Sequence, residues 1–288
     1  MSGLCGVLGW PVRHSRSPQM HAAGYAALGL DDWRYQLLPV PPELFDETVR
    51  ALPEAGFTGA NVTIPHKQAA LALADEATSS ARAIGAANTL TFLPDGRIHA
   101  DNTDAPGLID ALPFDAAGAT AVVLGAGGTA RAAVWALRAA GAADVAVWNR
   151  TPERAARLTA ELGGRVLGGA PAALGGSAGG APGAPGGPSV ALPAADLLVN
   201  TTSVGLEAGQ DQFAELPLER GELTRWRCVV DLVYGAEPTA LVAAARDAGV
   251  ATVDGLELLV RQGARSFERW TGRAAPLDAF RAAARAAA

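Results

Sequence analysis

The feature that most constrains this chain is a glycine-rich turn between an apolar run and a helical pattern. Residues 119–124 are typical of a buried strand, residues 125–128 (Gly-Ala-Gly-Gly) of a tight turn, and residues 129–140 of a helix. Glycine lets the backbone approach a pyrophosphate closely, and the helix N-terminus supplies N–H donors and a positive dipole. A strand at 144–148 and a helix opened by Thr151 complete a βαβ unit. The pattern predicts a Rossmann-like, dinucleotide-binding fold, although GxGGxA departs from the usual GxGxxG.

Strands and helices also alternate in the first hundred residues, which predicts an α/β unit with a largely parallel sheet. We expect strands at 4–9, 33–39 and 59–64, and a hairpin of 89–92 with 98–101. The residues between its two strands, Pro94-Asp95-Gly96, are typical of a tight turn. Ser17 as N-cap and Pro18 at the first helical position predict a helix before residue 28. The stretches 256–270 and 276–287 have helical periodicity.

The 288 residues favour two domains. We predict that residues 1–104 with 255–288 form a substrate-binding and catalytic domain, because the C-terminal helices return to the first unit. Residues 105–254 form the dinucleotide-binding domain. Within it, residues 163–193 are dominated by Gly, Ala and Pro, and they have too little apolar surface to offset their chain entropy. We interpret them as a flexible surface insertion without chemistry.

Charge and cysteine usage exclude several function classes. The net charge is −6, without an acidic or basic block, which argues against nucleic acid or a membrane as the main partner. No uninterrupted run of 18 apolar residues and no basic N-terminal leader is present, so we expect a cytoplasmic protein. Cys5 and Cys228 lie in apolar runs and are expected to be buried, reduced thiols. Neither cysteines nor histidines cluster at metal-ligand spacing, so no metal is predicted, and the histidines are interpreted as structural or orienting.

The end of the second strand of the βαβ unit predicts which dinucleotide binds. NAD-binding folds place a carboxylate there, which would repel a 2′-phosphate. This chain has Asn149-Arg150-Thr151 instead. Arg150 can bind a phosphate by bidentate, charge-assisted hydrogen bonds, with the two neighbours donating beside it. The alternative is a solvated arginine at a strand end. Together with the glycine turn, these residues favour NADP over NAD.

One lysine stands out in this chain. Of 23 cationic residues, 22 are arginine, and the exception is Lys67. Lysine can release its proton when its surroundings lower its pKa, whereas arginine keeps its proton at any working pH. Lys67 is therefore a candidate for proton chemistry, with a chance surface lysine as the alternative. Reduction of a carbonyl needs such a donor while the cofactor delivers hydride. Asp104 could orient the ammonium group, although spacing alone leaves an ordinary ion pair open.

Several short motifs follow one another in a fixed order along nearly the whole chain. They are His14-Ser15-Arg16-Ser17-Pro18, Asn61 to Lys67, Asn88-Thr89, Asn102-Thr103-Asp104, the glycine turn with Asn149-Arg150-Thr151, and Gln262-Gly263-Ala264. This arrangement resembles the shikimate dehydrogenase family. The resemblance implies reversible, NADPH-dependent reduction of 3-dehydroshikimate to shikimate, a step of chorismate and aromatic amino acid biosynthesis. It covers the chain apart from the Gly/Pro-rich segment.

The resemblance also implies roles for individual residues. Lys67 would be the general acid and base, assisted by Asp104. The expected substrate-binding residues are Ser15, Ser17, Thr63, Asn88, Tyr234 and Gln262. Both serines would bind the substrate carboxylate, and Ser17 alternatively caps a helix. The expected cofactor-binding residues are Gly125, Ala126, Gly127, Gly128, Thr129, Asn149, Arg150, Thr151, Thr202, Leu232 and Gly255.

Two other functions are weighed against this one. A quinate or quinate/shikimate dehydrogenase using NAD would tend to alter the second serine, so Ser17 and Arg150 both argue against it. A non-catalytic ligand-binding or regulatory relative would be free to lose Lys67 or Asp104, and this chain has kept both. The expected partner is the small-molecule substrate. The sequence leaves the oligomeric state open, with a homodimer as one alternative.

Overall fold

Two six-stranded sheets make up the framework of the protein. The computed structural model describes residues 2–168, 191–207 and 210–286. The first sheet contains residues up to 101, and the second contains residues 120–253. Each sheet has helices on its faces, so the α/β class and the two-unit arrangement predicted from the sequence are confirmed.

The first sheet is mixed. Its strands are β1 (Gly3–Gly9), β2 (Trp33–Pro39), β3 (Phe57–Val62), β4 (Glu76–Ala77), β5 (Thr89–Phe92) and β6 (Ile98–Asp101). The spatial order is β2-β1-β3-β5-β6-β4. Strand β1 runs parallel to β2 and β3, while β5 is antiparallel to β3 and β6. The predicted hairpin is present with the predicted bounds, and Gly96 in its turn has a φ of 82°, which favours glycine.

Five α-helices belong to the first unit. They are α1 (Ser17–Ala27), α2 (Phe45–Ala51), α3 (Lys67–Leu73), α4 (Ser79–Ile84) and α5 (Asp104–Ala111), with a 3₁₀ turn at Pro42–Leu44. The predicted helix cap at Ser17 is wrong: the N-cap position is held by Arg16, and no side chain makes the capping bond. The Ser17 hydroxyl faces a cavity instead.

The second sheet is entirely parallel. Its strands are β7 (Thr120–Leu124), β8 (Asp144–Trp148), β9 (Arg165–Val166), β10 (Ala195–Asn200), β11 (Trp226–Asp231) and β12 (Ala251–Val253). The order is β12-β11-β10-β7-β8-β9, and the covering helices are α6 (Gly128–Ala139), α7 (Pro152–Leu162), α8 (Gln212–Glu215) and α9 (Ala240–Asp247). Successive strands are added on one side of β7 up to β9 and on the other side from β10 onward. Open α/β sheets bind ligands at such a switch point in the strand order, which here lies between β7 and β10.

The last two helices pack against the first unit. Helix α10 (Gly255–Thr271) lies against α5 and β3, and α11 (Leu277–Ala286) lies against α1. Phe267 and Phe280 meet edge to face with ring centroids 5.4 Å apart. Trp270 donates a hydrogen bond through Nε1 to the Leu90 carbonyl at 3.1 Å. The prediction that the C-terminal helices return to the first unit is confirmed.

The predicted insertion at 163–193 is only partly described. Arg165–Val166 form a strand that pairs with β8, and Leu192 is buried in the core beside β10. The sheet and core therefore extend into both ends of the segment. Residues 169–190 lie outside the described residues. None of the described helices has the length and apolar character needed to cross a membrane.

Candidate active site

A cleft between the two units contains two adjoining cavities, which we call cavity A and cavity B. Both open at the carboxyl ends of the parallel strands, where substrate and cofactor are expected in folds of this kind. Six residues line both cavities: Ile64, Lys67, Thr129, Thr201, Thr202 and Ser203. Anything bound in one cavity can therefore touch what is bound in the other at this junction.

Cavity A brings together all of the predicted catalytic and substrate-binding residues. These are Ser15, Ser17, Thr63, Lys67, Asn88, Asp104, Tyr234 and Gln262. They come from six separate parts of the chain: the segments that follow β1, β3, β6 and β11, the residue before β5, and one face of α10. Leu232 and Gly255, predicted to contact the cofactor, line the same cavity.

Lys67 is held in this cavity by two hydrogen bonds. It begins α3, is only 9% exposed, and donates to Asp104 Oδ2 at 2.6 Å and to Thr129 Oγ1 at 2.9 Å. Asp104 is equally buried at the start of α5. A carboxylate this close fixes the direction of the amine. Lys67 is therefore not a surface lysine, and its ion pair with Asp104 lies in the wall of cavity A.

Asn88 fixes the orientation of Asp104. Its Nδ2 donates to Asp104 Oδ1 at 2.8 Å and to Gln262 Oε1 at 3.3 Å. Its Oδ1 accepts the backbone N–H of Thr103 at 2.7 Å. Because that acceptor is occupied by a backbone donor, the amide must present its NH₂ group to the carboxylate. Both Asp104 oxygens are thereby hydrogen-bonded, one to Asn88 and one to Lys67.

A buried network continues behind these residues through side chains for which the sequence suggested no role. The Tyr35 hydroxyl donates to Asn61 Oδ1 at 2.7 Å, and Asn61 Nδ2 donates to the Asn88 carbonyl at 3.2 Å. Asn61 also lines cavity A. Its place in the Asn61-to-Lys67 motif was the signal that could have identified it, whereas Tyr35 lies in an ordinary strand pattern.

Hydroxyl groups gather at the other end of cavity A. Ser15 Oγ donates to Ser17 Oγ at 3.2 Å, and the Ser15 side chain also hydrogen-bonds Tyr234. Burial raises the pKa of Tyr234, and the hydrogen bond with Ser15 partly opposes this. The guanidinium of Arg16 donates instead to the carbonyls of Ala284 and Gly235, at 2.7 and 2.6 Å. A carboxylate bound here would therefore be held by neutral hydroxyls.

Cavity B is built on the glycine turn before α6. Gly125 has a φ of 114°, and a Cβ there would lie 2.5 Å from Thr201 Oγ1. A Cβ on Gly128 would lie 3.0 Å from Lys67 Cβ, so the second of the adjacent glycines lets α6 approach the lysine closely. That contact accounts for the extra glycine of GxGGxA, and not for Ala130 in the place of the last glycine. A Cβ on Gly127 meets nothing within 4 Å, which leaves its backbone open to a ligand.

Apart from Leu232 and Gly255, all but one of the predicted cofactor-binding residues line cavity B. Lining cavity B are Gly125, Ala126, Gly127, Gly128, Thr129, Asn149, Arg150 and Thr202. Thr151 lines neither cavity; it is the N-cap of α7, and its carbonyl accepts from Asn149 Nδ2 at 2.9 Å.

Arg154 also lines cavity B, and sequence reasoning missed it. It lies in the first turn of α7, which begins two residues after Arg150. Over the part of the chain that the structure describes, neither arginine takes part in an ion pair. Two unpaired guanidiniums beside a glycine turn and a helix N-terminus suit the phosphates of NADP. The residues present thus fit the predicted cofactor.

Cysteines and histidines form no second reactive centre. Cys5 and Cys228 are fully buried, as predicted, and burial raises their thiol pKa values to about 12 and about 11. His66 stacks on Phe45 and bonds the Val40 carbonyl through Nε2 at 2.8 Å, which is a structural role. Among residues 2–168, 191–207 and 210–286, no group of three or more His, Cys, Asp or Glu side chains is arranged to hold a metal ion.

Three family models match the sequence in chain order. Residues 7–90 match the "Shikimate dehydrogenase substrate binding domain", residues 110–168 match "Shikimate / quinate 5-dehydrogenase", and residues 255–285 match the "Shikimate 5'-dehydrogenase C-terminal domain". The matched regions contain the residues that line cavities A and B before residue 168 and in α10, with the exception of Asp104.

Known proteins resemble the chain over nearly its whole length. A shikimate dehydrogenase (NADP(+)) of Methylobacterium radiotolerans is 47% identical, covering 92% of this chain and 90% of the relative. The crystal structure of shikimate 5-dehydrogenase from Thermus thermophilus in complex with NADP(H) and shikimate is 36% identical, with a TM-score of 0.79 and 98% of each chain covered. The ligand-free form of a Gluconobacter 5-ketofructose reductase is 30% identical, with a TM-score of 0.78, covering 99% of this chain and 98% of the other.

Proposed function

This chain belongs to the shikimate dehydrogenase family, and we propose that it catalyses the reversible, NADPH-dependent reduction of 3-dehydroshikimate to shikimate with Lys67 as proton donor. The observation that carries the proposal is the buried contact of 2.6 Å between Lys67 Nζ and Asp104 Oδ2 at the junction of cavities A and B. A substrate carbonyl in cavity A and a nicotinamide that reaches this junction from cavity B would meet beside Lys67. NADPH, when bound, supplies the hydride.

Lys67 supplies the other half of the reduction. As hydride reaches the carbonyl carbon, negative charge develops on the carbonyl oxygen, and Lys67 Nζ transfers a proton to it. In the reverse direction the amine takes the hydroxyl proton. Asp104 aims the amine, and its own direction is set by Asn88. The low exposure of all three residues excludes water and strengthens each of these interactions.

Substrate orientation is assigned to the two ends of cavity A. Ser15, Ser17 and Tyr234 would donate hydroxyl hydrogen bonds to the substrate carboxylate, which places the ring ketone toward Lys67. Thr63, Asn88 and Gln262 would bind the ring hydroxyls. A substrate that lacked the carboxylate would leave the serine pair without its acceptor, and this selects for an acid.

The cofactor would extend through cavity B. The glycine turn and the N-terminus of α6 would bind the pyrophosphate, and Leu232, Gly255 and Thr202 would contact the nicotinamide. Arg150, with Asn149 and the neighbouring Arg154, would bind the 2′-phosphate by charge-assisted hydrogen bonds. Thr151 is left as the cap of α7 beside them.

One assay tests the proposal. Purified protein is mixed with shikimate or quinate, each with NADP⁺ or NAD⁺, and formation of reduced nicotinamide is followed by absorbance. We expect shikimate with NADP⁺ to be much the fastest of the four combinations. Rapid oxidation of quinate with NAD⁺ would support the quinate alternative, and no oxidation in any combination would support the non-catalytic one. Because a 5-ketofructose reductase shares the fold, reduction of 5-ketofructose by NADPH is measured alongside.

Location and assembly are proposed separately. We infer a cytoplasmic protein, in keeping with a reaction that draws on the cellular NADPH pool. The homodimer is likewise a proposal, and light scattering on the purified protein measures it. A monomer mass in solution would remove the dimer without affecting the proposed reaction, because every residue assigned to the site belongs to one chain.

A further inference from the structure

A buried carboxylate lies beneath the junction of the two cavities without lining either. Asp231, the last residue of β11, is 0% exposed. In the part of the chain that the structure describes, it takes part in no ion pair. Burying an unpaired carboxylate is unfavourable unless hydrogen bonds compensate for the lost water. The bonds that Asp231 accepts therefore indicate what this residue does.

Asp231 accepts four hydrogen bonds from neutral donors. Its Oδ1 accepts from Asn200 Nδ2 at 2.9 Å and from the Val233 backbone N–H at 3.2 Å. Its Oδ2 accepts from Gln212 Nε2 at 2.8 Å and from Thr239 Oγ1 at 2.6 Å. Burial raises the pKa of Asp231, and the bonds from Thr239 and Gln212 oppose that shift most. A single side chain thus joins the ends of two strands, α8 and the start of α9.

The partners of Asp231 hold the loop that lines both cavities. Asn200 Oδ1 accepts from the Thr202 backbone N–H at 3.1 Å and from the Thr202 hydroxyl at 2.7 Å. Gln212 Nε2 donates to the Val204 carbonyl at 3.1 Å. On the other side, the bond to the Val233 N–H fixes the chain between Leu232 and Tyr234, which both line cavity A.

This wall lies at only one end of the proposed cofactor site. Hydride transfer requires the nicotinamide to touch the substrate, so the ring would extend from the junction, at Thr202, toward Leu232 in cavity A. The 2′-phosphate end, at Arg150 and Arg154, is built on β8 and α7, with which Asp231 shares no hydrogen bond. The two ends of one cofactor are therefore supported by separate parts of the protein.

We propose that Asp231 is a positioning residue for the nicotinamide half of the cofactor: it fixes the Thr202–Val204 loop and the Leu232–Tyr234 segment as one wall. The inference deepens the proposed function and rests on it. A change at Asp231 is expected to weaken binding of the whole cofactor while leaving the phosphate-bearing adenosine half unaffected.

The test compares two ligands on four proteins. NADPH binding is followed by its fluorescence, and adenosine 2′,5′-bisphosphate, which lacks the nicotinamide, by calorimetry. The proteins are the unaltered chain, Asp231→Asn, Asn200→Asp, and the double variant that exchanges the two side chains. Asp231→Asn places an NH₂ group against the groups that donate hydrogen bonds to Asp231. Asn200→Asp places a second carboxylate in contact with the carboxylate of Asp231. The exchanged pair can again form one amide–carboxylate bond and accept from Thr202 and Gln212.

We expect either single variant to weaken NADPH about tenfold or more, with bisphosphate affinity within about twofold of the unaltered chain. The double variant should recover most of the NADPH affinity. Equal loss of both ligands would overturn the proposal, since it would mean general damage to the second unit. So would unchanged NADPH binding in a folded Asp231→Asn protein, or a double variant as weak as the two single effects combined.

Circular dichroism monitors folding, and a milder variant covers the case in which Asp231→Asn does not fold. Gln212→Met preserves the shape of the side chain and removes the bonds to Asp231 and to the Val204 carbonyl. It should shift NADPH binding in the same direction by a smaller factor, again without affecting the bisphosphate, and no shift would count against the proposal. Failure of the proposed function is separately visible, as absent turnover of shikimate and NADP⁺ by the unaltered chain.

Discussion

Cavities A and B organise their polar groups in opposite ways. In cavity A, Lys67, Asp104 and Asn88 are buried and fixed by side chain–side chain hydrogen bonds. In cavity B, backbone geometry at the glycine turn is combined with two exposed arginines, Arg150 and Arg154, that lack ion pairs among the described residues. Cavity A is an ordered network of side chains, whereas cavity B combines a backbone turn with exposed cationic side chains at its edge.

The difference determines how strongly each site should respond to a single change. Electrostatic interactions inside a protein act at a low effective dielectric, so a misplaced group in cavity A is not screened. Exposed arginines act on their ligand through water and salt, and each contributes less. We therefore expect the largest effects on turnover from cavity A, and intermediate, salt-dependent effects on cofactor affinity from cavity B.

The largest effect is expected at Lys67. Lys67→Ala removes the proposed proton donor and should lower kcat about 10³-fold with little change in shikimate affinity. Steady-state kinetics and calorimetry measure the two quantities. Lys67→Arg is the matched control, because it keeps the charge but cannot release its proton. An active arginine variant, or equal loss of binding and turnover in the alanine variant, would make Lys67 a binding residue.

A smaller loss is expected when the partner of the lysine changes. Asp104→Asn keeps the shape but turns a neutral amide toward the ammonium, which should lower kcat about 10²-fold. NADPH affinity should change little, because Asp104 lines cavity A alone. Initial rates and fluorescence titration separate the two effects. If NADPH binding fell as much as turnover, the division between the cavities would be wrong.

In cavity B, Arg150→Ala should weaken NADPH about tenfold to a hundredfold and change NADH binding by less than about twofold. Arg154→Ala should act in the same direction but less strongly. Arg157→Ala is a matched control on the same helix, since Arg157 is exposed and lines neither cavity. The measurement is KM for each cofactor at two salt concentrations. An unchanged preference for NADPH would remove Arg150 from the phosphate site.

The smallest effect on activity, but a clear one on stability, is expected at His21. This side chain is fully buried, stacks on Tyr35 at 4.2 Å, and neither ring nitrogen has a hydrogen-bond partner in the described part of the chain. Burial lowers its pKa from 6.5 to about 3. Between those values the unfolded chain binds the proton and the folded one does not, so stability falls as the pH falls from about 6.5 toward 3.

His21→Phe should remove that dependence. The free energy of unfolding lost between pH 7 and pH 5 should shrink by about 2 kcal/mol, because the unfolded state no longer gains a proton at this position. Urea unfolding at the two pH values measures it, with turnover at pH 7 as the check on cavity A. An equally steep loss in the variant would assign the acid sensitivity to other groups.

Much of the fold was predictable from local pattern, and the exceptions have physical causes. The strand at 33–39 and the hairpin at 89–101 occur with the predicted bounds. Helix α5 was not predicted, and it contains Pro106 and Gly107, two residue types that disfavour helix interiors. Pro106 lies in the first turn, where its missing N–H is not needed. A Cβ on Gly107 would be 3.0 Å from the Gln262 backbone nitrogen, so this glycine permits close packing against α10.

The site was predicted less completely than the fold. The motifs identified Lys67, Asp104 and the serine pair, which the structure gathers in one cavity. They could not identify Tyr35, because its hydroxyl acquires a role only when the fold carries Asn61 beside it. Arg154 was missed although the start of its helix was predicted, because the side of the first turn that faces cavity B depends on how α7 packs. Partners brought together by tertiary packing leave no trace in local sequence.

The hydrogen bond from Lys67 to Thr129 spans the seam between the two halves of the molecule, since the amine starts α3 and the hydroxyl follows the glycine turn. Any widening of the cleft must stretch or break it. Both hydrogen bonds of the Lys67 amine are therefore present only when the two units lie close together, and a wider cleft would hold the amine less firmly. Closure of the cleft would thus enclose both ligands and fix the proton donor in the same movement.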